Sequence, residues 1–561
     1  MALVEPRTFH FEQILQQVRQ GVLRCPRFQR RFVWRRDQIL KLFDSIRLRY
    51  PVGSLLIWRT AERYESFARV GPIDVPPDQP SPPAEVGYVL DGHQRLSVIF
   101  GVFALTNDMA AELSGPDRAF LVYYDLDSEE FIHPRNPKEH HLPVRHLLDA
   151  DDDLTTWLDK RRDKTRAGSP ERSRWDTFRR RATQLQTIFA QYRLPYLEIT
   201  EATLEEAVNI FWRINKQGTV IRKEEAFSAL TWKPGGFDFA GAARELLEQY
   251  PRYKNFGTTP VLQAVLAALG EGIYDDDWER VLEDHRARLS DTMKAVEDAL
   301  GRALEFLDHR LGASSGRVVP YSLHVVFLTE FFRLCPEPAP VVSERLEHWL
   351  WATSFASAYT SVSETEVNGT MSQIRSLAAG RAIDLIPEGL RLRPFPRRFH
   401  GKAARVRIFH LFLKTREPRD LRTGEVLPDL LTQGMADART VAPGGDGLAI
   451  RLAGRLLVGA GRRSMLADLK SLARQHLTQP LFDDPARVDS AMIFRSHIVP
   501  DSAVGALVHD DLEAFIDQRE QELIRAEREF ARRYVDVDSV DQEVEENAEI
   551  DIEEPPESDL T

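Results

Sequence analysis

The pattern of hydrophobic and polar positions in the first 235 residues predicts helices interleaved with short strands. Apolar residues recur at helical spacing from Asp37 to Tyr50, and Pro51 ends that segment. Further helices are predicted at residues 9–22, 203–214 and 224–232, with an amphipathic helix at 94–100. Short apolar runs predict strands at residues 52–58, 88–90, 120–126, 131–133 and 194–199. The region is therefore expected to combine helices with a small sheet.

The rest of the chain has a different pattern. From Phe237 to about Ile386 the apolar residues keep helical spacing almost throughout, whereas residues 390–534 mix helical and strand patterns. At 561 residues the chain is too long for a single hydrophobic core. It is predicted to be of the α+β class, with a domain containing a small sheet at 1–235, a helical domain at 236–389 and a mixed α/β domain at 390–535.

Composition indicates the compartment. No apolar run reaches the ~18 residues that span a bilayer, and the first residues lack the layout of a secretory signal. Cys25 and Cys335 are too few for a disulfide framework or a cysteine-rich zinc site, so ordinary thiols are expected. A cytoplasmic protein without a membrane partner is predicted.

The net charge of −12 is concentrated in residues 536–561, the acidic segment. It contains twelve of the 86 acids and no Lys or Arg, so the remaining 74 acids equal the 74 bases. Such a composition predicts a disordered, solubilising extension. The alternative is an internal mimic of DNA that competes for basic clusters elsewhere in the chain.

Three basic clusters stand out. The first cluster, residues 19–36, has seven arginines interleaved with Phe28, Phe32 and Trp34; the second, 160–181, has ten bases around Trp175 and Phe178; the third, 391–407, has seven bases and no acid. Arginines with aromatic residues are typical of surfaces that contact phosphates and stack on bases. The second cluster also contains acids, so a solvated helical face with internal ion pairs is the alternative there.

The segment Asp91-Gly92-His93-Gln94-Arg95 lies where a predicted strand gives way to a helix. A helix N-terminus with an arginine in its first turn suits a phosphate, and Gly92 lets the backbone approach a ligand closely. Asp91 can hold a divalent cation or orient a water. The alternative is an ordinary Asp-Gly turn that caps the helix.

Four segments in this order and spacing, 25–34, 50–54, 91–96 and 213–219, together resemble the N-terminal domain of GmrSD-type, modification-dependent restriction proteins. That domain is related to the ParB fold and to the defence protein SspE. The resemblance covers roughly residues 5–235 and implies a ParB-like first domain.

The resemblance also implies site residues. The family's Asp-Gly-Gln-Gln-Arg motif for nucleotide binding and hydrolysis falls on residues 91–95, with His93 in the first Gln position. It implies Asp91, Gln94 and Arg95 as catalytic residues, Mg²⁺ at Asp91, and an NTP held by Gly92, His93, Gln94, Arg95 and Asn215. The alternative for Asn215 is a plain helix C-cap. The implied DNA-binding residues are Gln29, Arg30, Arg31, Phe32 and Trp34; Phe28 and Phe32 replace two tyrosines of the family.

Many members of the family that the chain resembles carry a C-terminal His-Asn-His nuclease. Residues 496–500, around His497, are similar to a His-Ile-Phe-Pro segment of such nucleases, but a paired histidine and a downstream asparagine are missing. The segment is therefore degenerate, and an intact nuclease is not expected. Asp420 with Glu425, and His400 with His410, fit no metal pattern. His133, His140 and His141 are interpreted as a polar loop.

Two functions follow. The first is an NTPase of bacterial anti-phage defence that binds DNA, modified DNA included, and couples turnover to nicking or to a partner nuclease or other defence subunit. The alternative is a nucleotide-switched sensor of DNA or a partner, without catalysis of its own. Homo-oligomerisation is left open by the sequence.

Overall fold

A computed structural model of the 561-residue chain describes residues 2–27, 32–75, 84–148, 153–215, 227, 237–275, 277–428, 430–442, 447–459, 465–478 and 489–537. The chain divides into two compact units, Met1–Ala240 and Gly241–Thr561. The α+β class is confirmed, and the first division lies close to the boundary predicted after residue 235. The further division at 389 and the ParB-like relationship stay predictions. Among the described helices, none has the length and apolarity needed to span a bilayer.

The first unit is built around a five-stranded mixed sheet in the order β1-β10-β3-β6-β2. Its strands are β1 (Leu3–Phe9), β2 (Leu23–Arg24), β3 (Leu55–Thr60), β6 (Val86–Asp91) and β10 (Leu194–Thr200). Two smaller sheets are formed by β4 (Arg69–Val70) with β5 (Ile73–Asp74), and by β7 (Tyr123–Asp125), β8 (Glu130–Ile132) and β9 (His141–Pro143). The pairs β3/β6 and β1/β10 are antiparallel, whereas β10/β3 and β2/β6 are parallel.

Seven α-helices accompany these sheets in the described part of the first unit. They are α1 (Phe11–Arg19), α2 (Arg36–Arg47), α3 (His93–Phe103), α4 (Asn107–Glu112), α5 (Asp153–Arg162), α6 (Pro170–Gln191) and α7 (Leu204–Asn215). The capping box predicted for α7 is confirmed, because the Glu206 N–H donates to Thr203 Oγ1 over 3.2 Å and the Thr203 N–H donates to Glu206 Oε2 over 3.0 Å. The helix predicted at 224–232 lies outside the described residues except for Phe227.

Two predictions for this unit were wrong. Residues 3–9 form an edge strand, so the first helix begins at Phe11 and not at Phe9; most of the strand is exposed and carries little apolar signal. The helix α3 is not amphipathic, because nine of its eleven residues are buried. Rings of α1, α2, α3 and α6 pack together at the centre of the core, through Phe11, Phe43, Phe103 and Phe189. The core therefore encloses α3 on nearly all sides.

The chain from Phe239 onward is mostly helical. Its helices are Phe239–Gln249, Thr259–Leu269, Trp278–His285, Leu289–Phe306, Ser322–Leu334, Pro340–Phe355, Glu364–Ala378, Ala404–Lys414, Met465–Leu477, Ser490–Ser496, Asp501–Val508 and Leu512–Ala531. Two short strands, Ala438–Thr440 and Arg455–Leu457, pair antiparallel. The charged helix predicted at 511–533 is confirmed, with Asp511 as its N-cap.

Candidate functional site

The 91–95 motif lies where β6 ends and α3 begins. Gly92 joins the two elements with φ of +85°, in the left-handed region that favours glycine. A side chain at this position would overlap Leu55 and approach the Arg95 guanidinium. The turn therefore requires a residue without a Cβ atom, as its sequence indicates.

Arg95 is anchored in a small cradle. Its Nη1 donates to the Val52 carbonyl over 3.0 Å, and its Nη2 donates to Asp91 Oδ2 over 3.2 Å. Gly53, with φ of +81°, lies against the same guanidinium, since a Cβ there would be 2.5 Å from Arg95 Nη1. Segments 50–54 and 91–95, which the sequence singled out separately, thus meet at one arginine. Asp91 and Arg95, the predicted cation ligand and phosphate ligand, form one ion pair.

Gln94 connects the motif to the first basic cluster. Its side chain is 5% exposed, and its Oε1 accepts a hydrogen bond from the Val33 N–H over 2.9 Å. Its Nε2 lies 2.8 Å from His93 Nε2, so the amide donates to the imidazole. Because Val33 stands between Phe32 and Trp34, the predicted nucleotide and DNA segments are in direct contact.

The predicted DNA-binding residues are only partly described. Gln29, Arg30 and Arg31 lie outside the described residues, as does Phe28. Phe32 and Trp34 are half-buried and pack against the core; the Phe32 ring lies 5.0 Å from that of Phe120. Both aromatic side chains therefore anchor the segment, and only part of each is accessible to a ligand.

Asn215 is the last residue of α7. The C-cap and turn predicted to follow it lie outside the described residues. Its predicted contact with a nucleotide stays a prediction.

The second basic cluster is a solvated face and not a stacking surface. Ion pairs join its bases to carboxylates: Arg162–Asp176, Lys164–Glu139, Arg174–Asp127, Arg179–Asp159 and Arg181–Glu129. Trp175 and Phe178 are 8% and 3% exposed and pack edge to face within the core. The expectation that Trp175 and Phe178 stack on bases was wrong, because both lie on the side of α6 that faces the core.

The third basic cluster is divided between the interior and the surface. Arg405 is buried and donates to Glu527 Oε1 over 2.7 Å, and Arg407 donates to the Val319 carbonyl. Five bases remain exposed: Arg391, Arg393, Arg397, Arg398 and Lys402.

His497 has a structural role. It is 3% exposed, its Nε2 lies 2.8 Å from the Arg419 carbonyl, and burial lowers its pKa to about 4. Within the described ranges, no group of three metal-ligating side chains includes His497, His400 or His410. That this region lacks an intact nuclease stays a prediction.

Two clusters of ligand-type side chains were missed by sequence reasoning. Asp125 faces both His140 and His141, at 3.6 and 3.7 Å, because Asp125 and His141 are cross-strand partners on β7 and β9. The Lys138 N–H donates to His141 Nδ1, which directs the neutral ring's proton to Nε2, toward Asp125. The other cluster joins Glu271, Asp284 and His285 around Arg280, whose guanidinium already pairs with the carboxylates. Only the strand register, which sequence spacing does not supply, would have indicated the first cluster.

The fold and site define a class of protein: an α+β domain in which a glycine turn joins a strand to a buried helix. Residues 11–232 match the family model of the GmrSD restriction endonuclease, N-terminal domain, which confirms the resemblance stated above. Residues 11–232 are therefore a GmrSD-type N-terminal domain. No curated protein matches the chain.

Proposed function

We propose that the protein acts in anti-phage defence by binding and hydrolysing an NTP at residues 91–95 and by acting on DNA through the first basic cluster. The observation that supports this most is the position of Gln94. Its buried side chain belongs to the nucleotide motif and holds the backbone of Val33, within the arginine-aromatic segment. A ligand that moves Gln94 would change the position of that segment.

The residues at the turn fit a phosphate and a divalent cation. The Asp91 side chain is 40% exposed, and hard cations such as Mg²⁺ prefer carboxylate oxygens. Arg95 carries a planar, permanently charged fork in the first turn of α3, where the helix dipole also favours an anion. Asp91 would hold Mg²⁺, and Arg95 with the backbone of His93 and Gln94 would hold the phosphates. The bound cation would neutralise phosphate charge as it develops.

In the proposed reaction a water attacks the terminal phosphorus while the bond to the bridging oxygen breaks, and the nucleoside diphosphate leaves. Asp91 orients that water, whose proton passes to an oxygen of the phosphate that is released, and Arg95 stabilises negative charge on the phosphoryl oxygens. Gln94 positions the phosphoryl group and links its state to Val33. Arg95 reaches the phosphates by exchanging its contact with Asp91, which frees the carboxylate for the cation.

A nucleotide-switched sensor is the second candidate, and two observations favour it. Arg95 and Asp91 are paired with each other, and His93 replaces a family glutamine. If Arg95 keeps its contact with Asp91 when a nucleotide binds, it cannot stabilise charge on the phosphoryl oxygens, and turnover would be slow. Partner proteins, a partner nuclease included, would then carry out any cleavage.

NTP turnover with Mg²⁺ separates the two candidates. We expect Arg95→Ala to abolish phosphate release, whereas Arg162→Ala, which removes a surface ion pair in the same unit, leaves it at the wild-type rate. Tight nucleotide binding without turnover in the wild type would select the sensor. Wild-type turnover in Arg95→Ala would refute a catalytic site at this turn.

DNA binding is tested through salt. If arginines of the first cluster contact phosphates, the logarithm of the affinity falls with the logarithm of salt concentration by about 0.9 per phosphate contact. We expect Arg35→Ala to reduce that slope by about one contact. An affinity independent of salt would contradict DNA binding by the arginines.

A further inference from the structure

The exposed bases of the third cluster lie within one twelve-residue stretch. They are called the basic surface here and are Arg391, Arg393, Arg397, Arg398 and Lys402. No acid occurs between residues 391 and 407. Of the five bases, Arg397 lies 3.7 Å from Glu520. For Arg391, Arg393, Arg398 and Lys402, no carboxylate lies within ion-pair distance in the described part of the chain. This surface therefore has positive charge that the fold itself leaves uncompensated.

The acidic segment begins at this same surface. The Leu392 N–H donates to the Asp536 carbonyl over 2.9 Å, and the Asp536 N–H donates to the Leu390 carbonyl over 3.3 Å. The buried Arg405–Glu527 ion pair fixes the neighbouring helix, Leu512–Ala531, to the same region. The chain thus enters residues 538–561 directly beside Arg391.

The charge and the length of residues 538–561 indicate that this segment can bind the basic surface. Residues 538–561 contain eleven acids and no Lys or Arg. At about 3.4 Å per extended residue, their 24 residues reach well beyond the twelve-residue length of the basic surface. We propose that residues 538–561 dock on the basic surface within the same chain. The second basic cluster is a poorer partner because five of its ten bases already pair with carboxylates, and because the acidic segment begins beside Arg391.

Docking regulates access of polyanions to the basic surface. A tethered segment has an effective concentration on the order of millimolar, so even a weak contact lowers the apparent affinity for a competing polyanion by about tenfold. Competition with DNA rests on the proposed function, whereas docking itself does not. Only DNA that makes additional contacts elsewhere on the protein displaces the segment, which raises selectivity.

Carbodiimide cross-linking of the full-length protein tests the docking directly. The reagent joins a lysine amine to a carboxylate in contact with it, and Lys402 is the one lysine of the basic surface. Lys294, an exposed lysine of the same unit, is the control. At low salt we expect peptides that join Lys402 to residues 538–561 to exceed those from Lys294 by at least about tenfold, and to disappear near 1 M salt because charges are screened.

A full-length variant with R391E, R393E and R398E should lose the Lys402 cross-links and keep the wild-type circular dichroism spectrum. Equal cross-linking at Lys402 and Lys294, or none at either, would overturn the proposal. A mixture of ¹⁴N- and ¹⁵N-labelled protein assigns each cross-link, and predominantly mixed-isotope pairs at Lys402 would overturn docking within one chain. Added 20-bp duplex should reduce the cross-links; no reduction while the duplex is bound overturns the competition with DNA. The cross-linking measurement does not depend on NTP turnover. A negative cross-linking result therefore leaves the proposed nucleotide site untouched, and a failure of that site leaves the docking proposal untouched.

Discussion

Gly53→Ala is expected to disturb the arginine cradle without altering any predicted site residue. Residue 53 has φ of +81°, and a left-handed conformation costs a non-glycine residue about 1–2 kcal/mol. The new Cβ would lie 2.5 Å from Arg95 Nη1, so the guanidinium must leave the Val52 carbonyl. Loss of this charged hydrogen bond adds about 1.5–3 kcal/mol. Gly168→Ala is the matched control, because Gly168 has φ of +77° and has nothing within 4 Å of a Cβ.

Urea unfolding and calorimetric titration with NTP and Mg²⁺ measure the two consequences. We expect both variants to lose about 1–2 kcal/mol of unfolding free energy from backbone strain, and Gly53→Ala to lose more. Nucleotide affinity should fall about 10–100-fold in Gly53→Ala only, which corresponds to one charged hydrogen bond. If the two variants bind the nucleotide equally well, the position of Arg95 is irrelevant to the ligand and the reasoning fails.

Three further predictions concern stability. Burial lowers the pKa of His410 and of His497 to about 4, below the unfolded value of about 6.5. The neutral rings therefore contribute their full stabilisation above pH 6.5. We expect urea unfolding to show a loss of about 1 kcal/mol of unfolding free energy per histidine between pH 6.5 and pH 5.5. An unchanged unfolding free energy would show that the two histidines titrate as in the unfolded chain. Arg405→Leu should destabilise the protein by about 3–5 kcal/mol, because it leaves Glu527 buried and unpaired. Adding Glu527→Leu should restore most of the lost stability, as measured by thermal unfolding. Wild-type stability of the Arg405→Leu variant would refute this. Trp175→Ala should lower the free energy of unfolding by about 3–5 kcal/mol, because Trp175 belongs to the core. The salt dependence of DNA binding should not change; a changed salt slope would show that Trp175 contacts DNA.

The sequence predicted the elements around the site well, and it failed where long-range packing decides the outcome. The strand and helix on either side of Gly92 were predicted because a short apolar run and a glycine turn are local signals. The burial of α3 was not predicted, because the polar residues Gln94 and Ser97 gave its sequence the pattern of a helix with a solvent-exposed face. They are buried because the whole first unit folds around that helix.

The same limit applies to the chemistry of the site. The contact of Arg95 with Val52 joins residues 43 positions apart, and that of Gln94 with Val33 joins residues 61 apart. No spacing rule connects such positions. Aromatic residues beside arginines were equally ambiguous: Trp175 belongs to the core, while Trp34 is half-buried at the edge of the first basic cluster. Composition alone does not separate a stacking platform from a buried ring.

The deep insertion of α3 among the phenylalanines of the first unit has a consequence for how quickly the site can respond. Because α3 is packed on nearly all sides, it cannot tilt or slide as a unit. The binding of a ligand at its first turn can then change only the side-chain torsion angles of that turn. Rotation about side-chain bonds is faster than the hinge motions of domains, which take microseconds to milliseconds. Association at this turn should therefore be limited by diffusion and charge, with little ordering entropy lost on binding.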